Sequence, residues 1–283
     1  MADAALLKDR RGLVMGVAND HSIAWGIART LAAHGAELAF TYQGEAQAKR
    51  LKPLAASIGS TLILPGDVEK DDELDAAFDT LKRAWGGLDF LVHAIAYSDK
   101  NELKGRYVDT SRENFVRTLS ISCYSFTAVA HRAAPLMAGK EGAMLTLTYL
   151  GASRVMPNYN VMGVAKAALE ASVRYLAADL GHDGIRVNAI SAGPMRTLAG
   201  SAVGDGRTMF KWIRTLNPLH RTTELDHVGG AALYLLSELS AGVTGEVHFV
   251  DAGYNVIGVP PASILNSWNA AGNGNGDKGD VET

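Results

Sequence analysis

Leu13-Val14-Met15-Gly16-Val17-Ala18-Asn19-Asp20-His21-Ser22-Ile23-Ala24-Trp25-Gly26 is a short apolar run, a glycine, a polar loop and the start of a helical pattern. It reads as a strand feeding a helix that continues to His34, and the same order recurs down the chain. Glu37 to Tyr42 precedes helical Glu45 to Ser57, and Thr61 to Leu64 leads through Gly66-Asp67 to a helix near Asp71 to Trp85. Asp89 to Ile95, Ala143 to Thr148, Ile185 to Ile190 and Glu246 to Val250 complete the set of strand-type runs. Continuous apolar strands are buried on both faces, and helical crossovers enforce parallel pairing. The expected fold is α/β: a doubly wound, Rossmann-type parallel sheet of seven strands with helices on both faces, in a single domain over residues 1–259. Residues 260–283 carry repeated Gly and Asn with few apolar residues after Trp268, and read as a flexible tail.

Composition narrows the partners. The chain has 283 residues, 47% of them apolar and 20% charged, with a formal charge of −3. That is an ordinary globular balance, and no strong field points to nucleic acid or a membrane surface. No apolar run approaches the ~20 residues that cross a bilayer. Lys8, Asp9, Arg10 and Arg11 precede a short apolar segment that ends in Gly16 and Asn19, unlike a signal peptide. The expected location is cytoplasmic, in a protein of bacterial type. Cys123 is the sole cysteine, so neither an internal disulfide nor a cysteine metal cluster is possible; it reads as an inert core thiol. None of the eight histidines shows metal-ligand spacing, and no metal is expected. Neither Ser191 nor Ser201 lies in a Gly-x-Ser-x-Gly hydrolase elbow.

The opening stretch has the parts of a pyrophosphate cradle, because a helix N-terminus presents free N–H groups and a positive dipole. Only Gly16 and Gly26 remain of the usual glycine triplet, with Ser22 where another is expected. An ordinary strand–helix turn with Ser22 as N-cap fits equally. After the second strand stands Gln43, which can bond ribose hydroxyls but brings no positive charge for an extra phosphate, so NADH is favoured over NADPH. Lys49 and Arg50 follow on what reads as helix surface. Asp67-Val68, after the third strand, suits an acid beside an adenine or a plain helix cap. His93 lies in an apolar strand and reads as a satisfied core histidine.

Asn158-Tyr159-Asn160-Val161-Met162-Gly163-Val164-Ala165-Lys166 sets a tyrosine nearly two turns before a lysine on what reads as one helix. Both side chains then share a face, about 10 Å apart along the axis. A phenol can donate a proton to a developing oxyanion, and a nearby ammonium favours the charged form of that phenol. On an arbitrary helix such a pair is usually without function.

Together these motifs resemble the bacterial enoyl-acyl-carrier-protein reductases, a divergent branch of the short-chain dehydrogenase/reductase superfamily, from about residue 8 to residue 257. Gly16 with Ser22-Ile23-Ala24 is similar to the family's altered glycine loop, and Thr146 to Ala152 to its fifth-strand signature. Tyr159 and Lys166 match its Tyr-x6-Lys; the superfamily's ordinary Tyr-x3-Lys is absent, since Gly163 stands at that place. Arg186 to Pro194 and Arg196 to Ala199 continue the match. Ala94, Ala96, Thr148 and Met195 are mild departures that bear on pocket shape.

The resemblance implies reduction of the carbon–carbon double bond of trans-2-enoyl-acyl-carrier-protein thioesters by hydride from NADH, in fatty acid synthesis. Of the catalytic residues it implies, Tyr159 would bond the thioester carbonyl and stabilise the enolate, and Tyr149 would line the same pocket and assist protonation; Ser98 would join them in binding substrate. Lys166 would hold the nicotinamide ribose. Gly16, Ser22, Ile23, Gln43, Asp67, Val68, Ile95, Met195, Arg196, Thr197, Leu198 and Ala199 would hold the cofactor. It also implies acyl carrier protein as partner and a homotetramer, with helices around residues 111–138 and 158–180 at the interface. The alternatives are a carbonyl or alcohol oxidoreductase of the same superfamily, or a non-enzymatic dinucleotide-binding protein. Residues 195–217 interrupt the alternation; Gly200, Gly204 and Gly206 suit a lid over a fatty chain, or a plain loop and helix. Arg207, Lys211 and Arg214 fall on one helical stripe, which suits docking of an acidic carrier or a solvated face. Met209, Phe210 and Ile213 would then face acyl chain or core.

Overall fold

In the computed structural model the described residues are 5–195 and 212–259, with Ala262 and Ile264. The strands are β1 (Arg11–Met15), β2 (Glu37–Tyr42), β3 (Leu62–Pro65), β4 (Phe90–His93), β5 (Ala143–Thr148), β6 (Arg186–Ala192) and β7 (Val247–Val250). They form one sheet in the order β3-β2-β1-β4-β5-β6-β7, parallel throughout. The order reverses between β1 and β4, and a crevice opens at such a switch point outside the strand ends.

Seven α-helices of eight residues or more lie among the described residues: α1 (Ile23–Ala33), α2 (Gly44–Ser57), α3 (Asp71–Trp85), α4 (Arg112–Leu119), α5 (Ser125–Met137), α6 (Asn160–Leu180) and α7 (Leu225–Leu236). Successive strand residues point to opposite faces. Val14, Phe40, Val92 and Leu145 therefore pack with Ile27 and Leu31 of α1 and Val228 of α7. Leu13, Leu91, Met144 and Val187 pack on the other face with Leu81 of α3, Val129 of α5 and Leu169 of α6. This is the expected doubly wound sheet.

Three local differences matter for the site. The fourth strand ends at His93, so Ala94 to Tyr97 leave the sheet as a loop. Between α4 and α5 the helix widens into a π turn, Ser120–Tyr124, whose extra residue places Ser122 Oγ against Tyr97: it accepts from Tyr97 N–H and donates to Tyr97 C=O, both at 2.9 Å. Cys123 lies in this turn, half-buried and packed against the core, 3.6 Å from Ser172 Oγ. Third, Tyr159 is not inside α6 but occupies its N-cap, with φ −120° and ψ −18°. No helix among the described residues is long and apolar enough to cross a membrane.

Candidate active site

At the switch point a cleft of about 370 Å³ is lined by Gly16, Gln43, Asp67, Val68 and Ile95, all anticipated from sequence. Gly16 has φ +96°, and a Cβ there would run into the Ala94 carbonyl, so only glycine lets the β1–α1 loop lie so close to β4. Gln43 donates from Nε2 to Asp67 Oδ2 at 3.1 Å, joining the ends of β2 and β3. Asp67 does not cap α3, whose N-cap is Lys70; Asp67 Oδ1 instead accepts from Glu69 N–H at 3.1 Å.

Ser22 stands at the N-cap of α1 but makes no cap bond to its own helix. Its hydroxyl accepts from Ala18 N–H at 3.0 Å and Asn19 N–H at 2.9 Å, which folds the loop back on itself. The first N–H groups of α1, from Ile23 and Ala24, are left without a helical acceptor, and no acidic residue occupies that first turn. A cradle needing a glycine, free helix N–H groups and an acid across the cleft fits a dinucleotide's pyrophosphate and adenosine.

Several lining residues carried no sequence signal of their own. Gln47 accepts from Gln43 N–H at 2.6 Å and donates to Val17 C=O at 2.8 Å. Arg50, taken as helix surface, donates to Ala18 C=O at 2.9 Å and braces the same loop. Arg117 pairs with Glu69 through Nε at 3.1 Å and Nη2 at 3.0 Å, and its guanidinium lies 4.6 Å from the centre of the Tyr97 ring. Spacing from the strand ends identifies none of these, because Gln47 and Arg117 reach the cleft, and Arg50 its loop, from a helix surface.

The reactive groups gather at the end of β5. Lys166 is buried and donates from Nζ to Leu147 C=O at 2.8 Å. Tyr149 follows that strand, and its ring meets the Tyr159 ring edge-on at 5.1 Å. Tyr159 and Lys166 thus converge on one strand end, Tyr159 through Tyr149 and Lys166 through Leu147. Among the described residues the Tyr149 hydroxyl is buried without a hydrogen-bond partner, an orphan group suited to a ligand. Thr148 donates to Glu170 Oε1 at 2.7 Å, so α6 grips two successive strand residues. Gly163 packs against Gly151: a Cβ would lie 2.8 Å from the Gly151 carbonyl oxygen. A lysine at the superfamily's ordinary spacing therefore has no room.

Charge in the site departs from expectation in one respect. Burial pushes the Tyr159 phenol well above the usual tyrosine range, and Tyr149 and Glu170 push it further. Tyr159 therefore stays protonated. Burial raises Tyr149 likewise. Burial lowers Lys166 to about 8, partly offset by Cys123 and Glu170, so it remains mostly charged at neutral pH. His93 is fully buried, bonded to Thr146 Oγ1 at 3.1 Å and Ser125 Oγ at 2.8 Å; burial and Lys166 hold it neutral, at about 3. It is the core histidine expected.

The family model described as enoyl-(acyl carrier protein) reductase matches residues 16–255. The chain belongs to that family. A Rhizobium meliloti (strain 1021) protein named enoyl-[acyl-carrier-protein] reductase [NADH] 2 is 65% identical over 260 residues, which is 92% of this chain and 97% of the relative. The crystal structure of the Anaplasma phagocytophilum reductase in complex with NAD superposes with TM-score 0.88 at 56% identity, covering 91% of this chain and 98% of that one. The Bacillus cereus reductase with NADP+ and indole naphthyridinone has TM-score 0.88 at 51% identity, covering 90% and 99%.

Within this reductase fold the remaining expected positions divide. Met195 is buried in the core. Arg196, Thr197, Leu198 and Ala199 lie outside the described residues, as do Arg207, Met209, Phe210, Lys211 and most of residues 260–283. Ile213 is buried and Arg214 exposed. The Ser98 hydroxyl is engaged by Asn114 and Thr118, the latter donating at 2.9 Å, so it is held on α4. Among the described residues no cluster of three metal-ligating side chains occurs.

Proposed function

We infer that this chain reduces the carbon–carbon double bond of trans-2-enoyl thioesters carried on acyl carrier protein, with NADH as reductant. The convergence of Tyr159, Tyr149 and Lys166 on the end of β5, next in the sheet to β4, whose following loop lines the cleft, carries the reading. When bound, NADH supplies the hydride that adds to the β-carbon of the enoyl group. The chain's residues do the rest. Gly16, Ser22 and Ile23 would seat the pyrophosphate, while Gln43, Asp67 and Val68 would face adenosine. Lys166 spends one donor on Leu147, and its remaining donors suit ribose hydroxyls. Tyr159, held protonated by burial, would donate to the thioester oxygen as negative charge grows there. The Tyr149 hydroxyl would supply a second donor in the same wall. The charge of Lys166 keeps the local potential positive.

NADH rather than NADPH is supported by the cleft's charge. Among the described residues the cation lining it is Arg117, already paired with Glu69. Residues 195–217 would form a lid: Met195 at their start and Ile213 and Leu216 near their end are buried. We place the domain at residues 1–259, with the tail beyond, in a cytoplasmic homotetramer that docks acyl carrier protein through Arg207, Lys211 and Arg214. Purified protein should oxidise NADH, and NADPH much more slowly, when given crotonyl or longer enoyl thioesters. Oxidation with a ketone but not with an enoyl thioester would favour the carbonyl reductase alternative.

A further inference from the structure

We propose that Asn160 is a positioning residue for Tyr159, its side-chain amide latching the 102–105 turn onto the first residue of α6. The two N–H bonds of the Asn160 side-chain amide are shared among three carbonyls of that turn: Glu102 at 3.2 Å, Lys104 at 3.4 Å and Gly105 at 3.4 Å. The turn carries Leu103, which is buried in one cluster with Tyr159, Val161 and Met162. The latch thus holds a side chain of the cluster in which Tyr159 is buried.

Backbone geometry points the same way. Asn158 and Asn160 both have positive φ, 57° and 22°, with Tyr159 between them. Such conformations are rare for residues other than glycine and persist where surrounding contacts over-determine them. Here the contacts are the three carbonyl bonds. The far side of the turn is also fastened: Glu102 Oε2 accepts from Ser111 N–H at 2.9 Å and Asn114 Nδ2 at 3.2 Å, and Glu102 Oε1 accepts from Ser111 Oγ at 2.8 Å. Asn114 Oδ1 in turn accepts from Asp99 N–H at 3.0 Å. The wall facing Tyr159 is therefore clamped between the starts of α4 and α6, and Asn160 is the α6 jaw.

An asparagine here does two separable things: it tolerates the left-handed backbone, and it supplies the amide donor. Glycine does only the first, and aspartate sets a carboxylate against three carbonyls. The inference rests on Tyr159 being the proton donor to substrate, and the test separates the two ideas. Asn160→Gly and Asn160→Asp are compared with wild type by steady-state kinetics, NADH affinity from fluorescence, melting temperature, and NMR of ring-labelled tyrosine with Tyr159 assigned by its loss in Tyr159→Phe. Asn160→Gly should melt no lower than wild type yet lose about 10- to 100-fold in kcat, with unchanged NADH affinity. Its Tyr159 signal should move, and the phenol should titrate closer to the ordinary tyrosine range. Asn160→Asp should lose at least as much kcat. An unmoved Tyr159 signal in Asn160→Gly overturns the latch whether or not the enzyme reduces enoyl thioesters. Wild-type kcat in Asn160→Gly overturns it as well, and inactivity of wild type towards enoyl thioesters overturns the functional reading alone.

Discussion

Tyr159 and Lys166 have opposite electrostatic problems. Each is buried at one strand end, and burial disfavours the charged form of either. For the phenol that is useful, because a neutral donor can strengthen its bond as charge develops on substrate. Tyr159→Phe should lower kcat by ~10²-fold or more while leaving NADH affinity within about twofold. Steady-state and binding measurements on the variant check this, and unchanged turnover would remove its assigned role. For Lys166 burial is a cost. Its ammonium titrates at about 8 in the fold against 10.5 when unfolded. Between those values the unfolded chain binds the extra proton, so stability rises with pH there, and below about pH 8 the buried charge costs roughly 3 kcal/mol. Lys166→Met should therefore melt higher than wild type at pH 7 without cofactor. The gap should shrink from pH 8 to 10, while NADH affinity falls sharply. A gap that stays constant across that range would show that Lys166 is not desolvated in solution.

Elements meet at the site through glycines. Gly163 lets α6 lie against the 3-10 turn Leu150–Ala152, and Gly151 in that turn leaves space for the Tyr159 ring. Gly163→Ala gains up to ~1 kcal/mol of helix propensity. It also sets a methyl group 2.8 Å from a backbone oxygen that cannot swing away. Overlap of this kind costs about 1–3 kcal/mol, so the net effect should be a lower urea midpoint with unchanged slope, and reduced kcat because the turn next to Tyr149 shifts. A variant as stable and active as wild type would mean that α6 and the turn have slack. The π turn Ser120–Tyr124 acts over a longer reach: Ser122 holds both backbone groups of Tyr97 and so shapes the cleft wall between β4 and α4.

At the scale of the whole molecule, apolar side chains stand exposed on the helices expected to meet partner subunits. Val116 of α4, Tyr124 of the π turn, and Val164 and Tyr175 of α6 are 60%, 63%, 36% and 76% exposed. Large apolar patches on a soluble chain mark contact surfaces. The proposed homotetramer would bury them. Changing both Tyr124 and Tyr175 to Glu should yield smaller species in sedimentation velocity, and a monomeric wild type would end the proposal.

The sequence by itself determined the sheet, because seven apolar runs separated by helical patterns admit few other burials. It also pointed to Tyr159, Lys166, Gly16 and Asp67, whose spacing from strand ends and from each other is local. Only the tertiary structure decided the rest. Arg117 with Glu69, Ser122 with Tyr97, and Asn160 with the 102–105 turn are pairings between residues far apart in the chain or from different elements. The protonation of Tyr159 also belonged to the fold. Spacing measures how close an ammonium lies along a helix, but desolvation depends on everything packed around the phenol, and here burial holds it protonated.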